Sequence, residues 1–165
     1  MKTFQSFAEL HACTGQEVAV TDWHTVTQEQ INLFAQATGD HQWIHTDPVK
    51  AAQGPFGAPI AHGFLSLSLL PLFFGQAVRV QGSTMGVNYG LNKVRFPAPV
   101  PVNSRVRGRV AVQAVEPVGP DCVQVTWHVT VEREGADKPV CVAESLARMY
   151  GAPMGEWGAV AAQAA

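Results

Sequence analysis

Charged residues are scarce in this chain: Asp, Glu, Lys and Arg make up 15% of its 165 residues and sum to a net charge of −2, where an average globular protein carries roughly 25%. So little charge implies that part of the surface is covered, most simply by a second copy of the chain, so a homodimer or dimer-based oligomer is expected. Cysteine is scarce too. Cys13, Cys122 and Cys141 are odd in number and lack a short paired spacing, which excludes a disulfide framework and a four-cysteine zinc site and suits a reducing cytoplasm. Gln5, Ser6, Glu9 and His11 interrupt any apolar run after Lys2, so no secretory segment is expected and the protein is placed in the cytoplasm.

Two stretches lack charge of one kind or altogether. Residues 51–78 contain no Asp, Glu, Lys or Arg, a length that raises the question of a membrane span. Their dense apolar part, 60–74, carries His62, Gly63, Ser66, Ser68 and Pro71. It is too short and polar for the roughly 20 residues a bilayer requires, and it fits a helix buried inside protein. Between Pro48 and Val115 there is no acidic residue, whereas Lys50, Arg79, Lys93, Arg95, Arg105, Arg107 and Arg109 are basic. This imbalance is read equally as one solvated sheet face or as a phosphate-binding region. Nucleic acid is not expected, since the whole chain is slightly acidic and no aromatic stacking set lies among those arginines.

The first helix signal is 4–12. A weak extended segment, 17–26, follows. Thr27 with Gln30 forms a capping box, Val26 with Ile31 a hydrophobic staple, and Gly39 is a helix stop, so a helix is expected over 28–38. Asp47 and Pro48 start a second helix, leaving 39–47 as a loop held at both ends. Gly54, Pro55, Gly57 and Pro59 break the chain before a long apolar helix whose first turn Pro59 can enter. Beyond Gly82 the period becomes two, with strands over 106–114, 123–131 and 140–150. A change of apolar phase in 85–96 predicts a bulge near Asn92. An all-round apolar helix followed by antiparallel strands that curl about it is an α+β arrangement, here one domain over 1–150 with a loosely held Gly- and Ala-rich tail, 151–165.

Chemistry concentrates in Thr38–Pro48, TGDHQWIHTDP, where two carboxylates and two histidines share a loop held by its flanks. Asp40 is the candidate base. His45, neutral near pH 7, can hold a water or pass a proton. Trp43 and Ile44 are the apolar anchors. A second segment, GPFGAPIAHG (54–63), offers free amides at a helix start for charge developing on a carbonyl oxygen, with Ala58, Ala61 and Gly63 leaving room for substrate.

These two segments, FAQATGDHQWIHTDPVKAA and GPFGAPIAHGFLSLSLL, resemble the MaoC-like dehydratases, the (R)-specific enoyl-CoA hydratase group of hotdog-fold proteins. The branch most alike includes nodulation protein N-like sequences, with Gln42 and Trp43 where most hydratases of the family have Asn-Pro. The resemblance implies a hotdog fold, a dimer and reversible hydration of a trans-2-enoyl-CoA to an (R)-3-hydroxyacyl-CoA, with Asp40 and His45 as the acid–base pair and the Gly63 amide as oxyanion donor. No metal or redox cofactor is implied, coenzyme A being part of the substrate. Gln42 and Ala58 are candidate substrate contacts. So are His62, Asn88 and Tyr89, although a structural hydrogen bond at the helix start suits His62, and buried strand polarity suits Asn88 and Tyr89, at least as well.

Three rivals stand beside this reading. A metal centre would use His41 and His45 with Asp40, Asp47 or His62, but Gly39 and Pro48 oppose the helix that would bring the two histidines to one face. A hotdog thioesterase would release free thiol. A non-catalytic acyl-CoA-binding module would bind without turnover.

Overall fold

In the computed structural model, which describes residues 1–151, most of the chain forms one antiparallel sheet and the helices packed on its concave face. The element order is β1 (Lys2–Phe4), α1 (Phe7–Ala12), β2 (Glu17–Val20), β3 (His24–Thr25), α2 (Gln28–Thr38), α3 (Trp43–Thr46), α4 (Pro48–Ala52), α5 (Gly63–Ser68), α6 (Leu70–Ala77), β4 (Val78–Val80), β5 (Ser83–Arg95), β6 (Arg105–Gly119), β7 (Cys122–Arg133) and β8 (Cys141–Gly151). The main sheet runs β2-β6-β7-β8-β5 with β3 also on β6, and β1 pairs in parallel with β4 in a separate two-stranded sheet. This is the α+β hotdog architecture expected above. The tail beyond Gly151 lies outside the described residues.

Helix α2 forms where its caps predict. The Thr27 hydroxyl accepts from the Gln30 amide, Val26 and Ile31 are buried, and Gly39 closes the helix at φ 77°, a left-handed conformation that glycine adopts without a Cβ penalty. The other half of the capping box is replaced. The Gln30 side chain lies 3.1 Å from His24 Nε2, tying α2 to β3. At the start of the chain, Phe4 belongs to a strand and not to the expected helix, because Ser6 caps a helix that begins only at Phe7.

The apolar rod starts later than expected. The amides of Ile60 and Ala61 bond to the carbonyls of Ile44 and Val100, which holds Pro59–Ala61 extended and leaves His62 as the N-cap of α5. Helices α5 and α6 are one rod broken at Leu69. The bonds from Leu69 N to Leu65 O and from Phe73 N to Leu69 O run through the break, whereas Pro71 has no N–H to return to Leu67. Leu65, Leu69, Leu70 and Phe73 pack into a core made by Val110, Val112, Val123, Val125, Val129 and Val131 from β6 and β7. The expectation that the rod is covered all round does not hold within one chain, for Phe64 is 68% exposed. Beside it runs β5, an edge strand with exposed Met85, Val87, Tyr89 and Leu91. Its pairing with β8 shifts register between Leu91 and Lys93, at the expected bulge, and at two further points.

Of the seven basic residues in the middle of the chain, the three arginines of β6 lie on a sheet face where acidic partners meet them. Arg105 pairs with Glu134, Arg107 with Glu132 and Arg109 with both Glu17 and Glu132. Their partners come from β2, from β7 and from Glu134 just beyond β7, all outside the acid-free segment. No helix among the described residues is long and apolar enough to cross a membrane. Cys122 and Cys141 are buried and Cys13 half-buried, all three as free thiols. Burial pushes the Cys141 thiol up to about 11, which keeps it protonated and unreactive near neutral pH.

Candidate active site

Residues 39–47 are not an unstructured loop. Gln42 opens the one-turn helix α3, inside which His45 is buried while its neighbours remain half-exposed or exposed. The Trp43 indole packs against Gly54, where an added Cβ would lie 2.8 Å from the ring. Lys50 sits 5.0 Å above the same indole. Ile44 anchors through its carbonyl, which accepts from the Ile60 amide at 3.0 Å. Asp47 closes the segment by capping α4, its side chain accepting from the Lys50 amide.

His45 Nδ1 lies 2.7 Å from the Ile60 carbonyl oxygen. A carbonyl can only accept, so in the neutral ring Nδ1 carries the proton and Nε2 keeps its lone pair. Burial, the largest influence, lowers the proton affinity of His45 below the usual histidine value of 6.5. The Ile60 carbonyl raises it, His62 lowers it and Asp40 raises it, in decreasing order. The ring is therefore neutral, and its Nε2 an acceptor, to lower pH than an exposed histidine allows.

The sign of the stability linkage follows from this depression. Protons bind the unfolded chain more readily than the folded site, so the contribution of neutral His45 is complete above 6.5 and is lost as pH falls toward the lower folded value. Thermal unfolding measured from pH 8 to 5 is expected to show a loss of Tm setting in below about pH 6.5 that His45→Gln reduces. An equal slope in that variant would assign the loss to other groups.

Asp40 follows the left-handed Gly39, and its carboxylate accepts from the Gln42 amide at 3.3 Å. Its side chain is 55% exposed, and Oδ2 stands 3.9 Å from His62 Nε2. One donor atom from each of Asp40, His45 and His62 lies within 4.8 Å of the others. Two hydrogen bonds of ~2.8 Å can span a gap of that length through one water.

The same triplet is the arrangement a metal would require, without His41, which is exposed. The two imidazoles stack, however, with centroids 3.8 Å apart and planes at 25°. Stacked rings aim their in-plane lone pairs side by side and not at a common point, and His62 Nε2 is already bonded to the Asp40 backbone carbonyl at 2.9 Å. A metal ion held by both rings would have to draw them out of this stack.

Next to His45 is a cavity of about 270 Å³. Gly63 and Ser66 from α5 form one wall, and Ile60 and Ala61 precede them. Phe96, Pro97, Ala98, Pro99 and Val100, from the segment after β5, face them, with Val140 and Phe56 closing the ends. The Phe96 ring lies so close to Gly63 that a Cβ there would come within 2.9 Å of it, so glycine is required by this approach. No side chain caps α5, which leaves the Gly63 amide free for an oxygen in the cavity.

The structure thus brings Asp40, His45, His62 and Gly63 together. Gln42 is exposed, and of the expected catalytic and contact residues only His45 and Gly63 line the cavity; Asp40 and His62 reach it through His45, and Gln42 and Ala58 lie apart from it. Asn88 and Tyr89 line a different one, about 450 Å³, between β5 and the residues Leu67, Ser68, Leu70 and Pro71. The wall from Phe96 to Val100 and the Ile60 carbonyl were not anticipated. The Pro-rich run after β5 is the one signal that could have pointed to that wall.

A carboxylate and an imidazole close together, beside an apolar slot with an open helix-start amide on a hotdog sheet, are the equipment of a hydro-lyase of the hydratase and dehydratase kind. Comparison with known proteins agrees. Residues 9–134 match the MaoC like domain, and the chain belongs to that family. It is 58% identical over 148 residues to 3-hydroxyacyl-thioester dehydratase Z of Mycobacterium tuberculosis, covering 90% of this chain and 98% of that one. It is 46% identical over 140 residues to nodulation protein N of Rhizobium leguminosarum, covering 84% and 87%. Among solved structures, the R-hydratase of Pseudomonas aeruginosa superposes with a TM-score of 0.65 at 25% identity, covering 88% of this chain and 85% of that one.

Proposed function

We propose that this protein reversibly adds water to a trans-2-enoyl-CoA to give the (R)-3-hydroxyacyl-CoA. The observation that supports this most is the separation of the Asp40 and His45 donor atoms, within 4.8 Å, at the side of a slot that also contains Gly63. A water held between them loses a proton to the Asp40 carboxylate as its oxygen bonds to the β-carbon. The other O–H of the water donates a hydrogen bond to His45 Nε2, which orients the attack, and stays on the oxygen as the 3-hydroxyl. The π pair of the double bond moves onto the thioester oxygen, where the Gly63 amide donates to the developing enolate, and the proton on Asp40 passes to the α-carbon. Dehydration retraces these steps. Every proton comes from water or returns to it, so the reading requires neither metal nor redox cofactor.

The second half of the proposal is a homodimer through β5. Its outer edge has no hydrogen-bonding partner among the described residues, and the apolar side chains along it and at Phe64 are exposed, as on a strand that continues into a second copy. Sedimentation is expected to give a dimer for the wild type, and a lower mass or a weaker dimer for Leu91→Asp. A monomeric wild type would exclude it.

The reaction is tested by the loss of enoyl absorbance with crotonyl-CoA and longer enoyl-CoA substrates, alongside an assay for free thiol. Loss of the double bond with the thioester intact is expected. Thiol release with the double bond retained would make the protein a thioesterase, and binding without either change would make it an acyl-CoA carrier.

A further inference from the structure

His62 is buried to 3% exposure, yet only one of its ring nitrogens has a partner. Nε2 lies 2.9 Å from the backbone carbonyl of Asp40, so Nε2 carries the proton, and Nδ1 is left as a buried lone pair without a donor. One face of the ring stacks on His45 at 3.8 Å, and Phe34 of α2 packs against it at 5.0 Å. An apolar ring would fill this space without an unpaired nitrogen, so the polar atom is retained at a cost. What it gains is a tether: the turn that carries Asp40 has no other hydrogen bond to the start of α5.

We infer that His62 is a positioning residue, which fixes the Asp40 carbonyl through Nε2 and backs the His45 ring, so that base, water-holder and the Gly63 amide keep one geometry. This rests on the hydratase reading for its consequences in turnover, but not for the geometry itself. Among the described residues the titratable groups facing His45 are Asp40 and His62. Charge on His62 opposes charge on His45, so removing the second imidazole raises the proton affinity of the first.

Two substitutions separate the roles. His62→Phe keeps the stacked ring and loses the donor, and is expected to lower kcat by about 10²-fold, as a small misplacement of reacting groups does, with KM little changed. His62→Gln returns a donor near the Nε2 position and is expected to restore most of that loss. In both variants the acid limb of the pH–rate profile should move to higher pH. Wild-type kcat and pH profile in His62→Phe would overturn the inference, and so would a His62→Gln as impaired as His62→Phe.

A measurement on the unaltered protein guards against variants that fail to fold. Nitrogen-15 spectra of histidine-labelled protein near pH 7.5 should show His62 protonated at Nε2 and His45 at Nδ1. A His62 proton on Nδ1 would overturn the tether directly. Failure of the parent reading has a different signature: normal hydration by His45→Gln, or no hydration by the wild type, with the tautomers unchanged.

Discussion

Asp40→Asn is expected to lower enoyl-CoA hydration by about 10²–10⁴-fold, the range that a positioned proton-transfer group supplies. The amide occupies nearly the same volume, can still accept from Gln42 N, and its exposed position places it outside the core. Tm should therefore stay close to that of the wild type, and KM should change little. His45→Gln is expected to show a loss of similar size, since it removes the imidazole whose Nδ1–H donates to the Ile60 carbonyl and whose Nε2 is left as the acceptor. Because the two groups act on one water, the double variant should be scarcely worse than the worse single one. Steady-state kinetics with circular dichroism as a folding control checks all three. Near-normal turnover in both single variants would refute the assignment of the pair.

The second large effect belongs to a backbone atom and needs a matched pair of substitutions. Gly63→Ala and Gly63→Pro both place a Cβ about where it would meet the Phe96 ring at 2.9 Å, so that contact is common to both, and the proline adds a Cδ on the nitrogen. Only the proline also removes the amide hydrogen. The backbone is suited to it, for His62 is at φ −58°, ψ 139°, the conformation a residue before proline prefers, and the first helical position tolerates proline. Gly63→Pro is expected to lose about 10²–10³-fold in kcat relative to Gly63→Ala, the size of effect known for one oxyanion donor. Equal rates in the two variants would mean that the Gly63 amide does not bear on the enolate.

The closeness of Asp40 and His45 was legible because both lie in one short segment between a helix stop and a helix start, where spacing alone brings them near each other. Helix α2 and strands β6 and β7 were legible for the same reason, their caps and alternation being local. What could not be read came from long-range contact. The bond from His45 to Ile60 spans 15 residues and that from His62 to Asp40 spans 22, and nothing in either segment marks its partner. The later start of α5 has the same origin, since the distant carbonyls of Ile44 and Val100 hold Ile60 and Ala61 out of the helix. Asn88 and Tyr89 lie on the expected strand and line a cavity apart from the one beside His45. Which slot a strand residue faces depends on bulges, and β5 has three.

The arginines of β6 have one more effect, on how the strands find each other. Sliding β6 past β7 by two residues would keep valine opposite valine on the core face, so apolar alternation cannot forbid it. The native alignment sets Arg107 against Glu132 and brings Arg105 to Glu134; a two-residue slide in one direction leaves only Arg105 against Glu132, whereas the other sets Arg107 against Glu134 and Arg109 against Glu132 and leaves Arg105 unmatched. Each cross-strand pair contributes only ~0.2–1 kcal/mol, so Glu132 and Glu134 weigh against a slide in one direction and leave the other to be opposed by the short turn at 120–121 that joins the two strands.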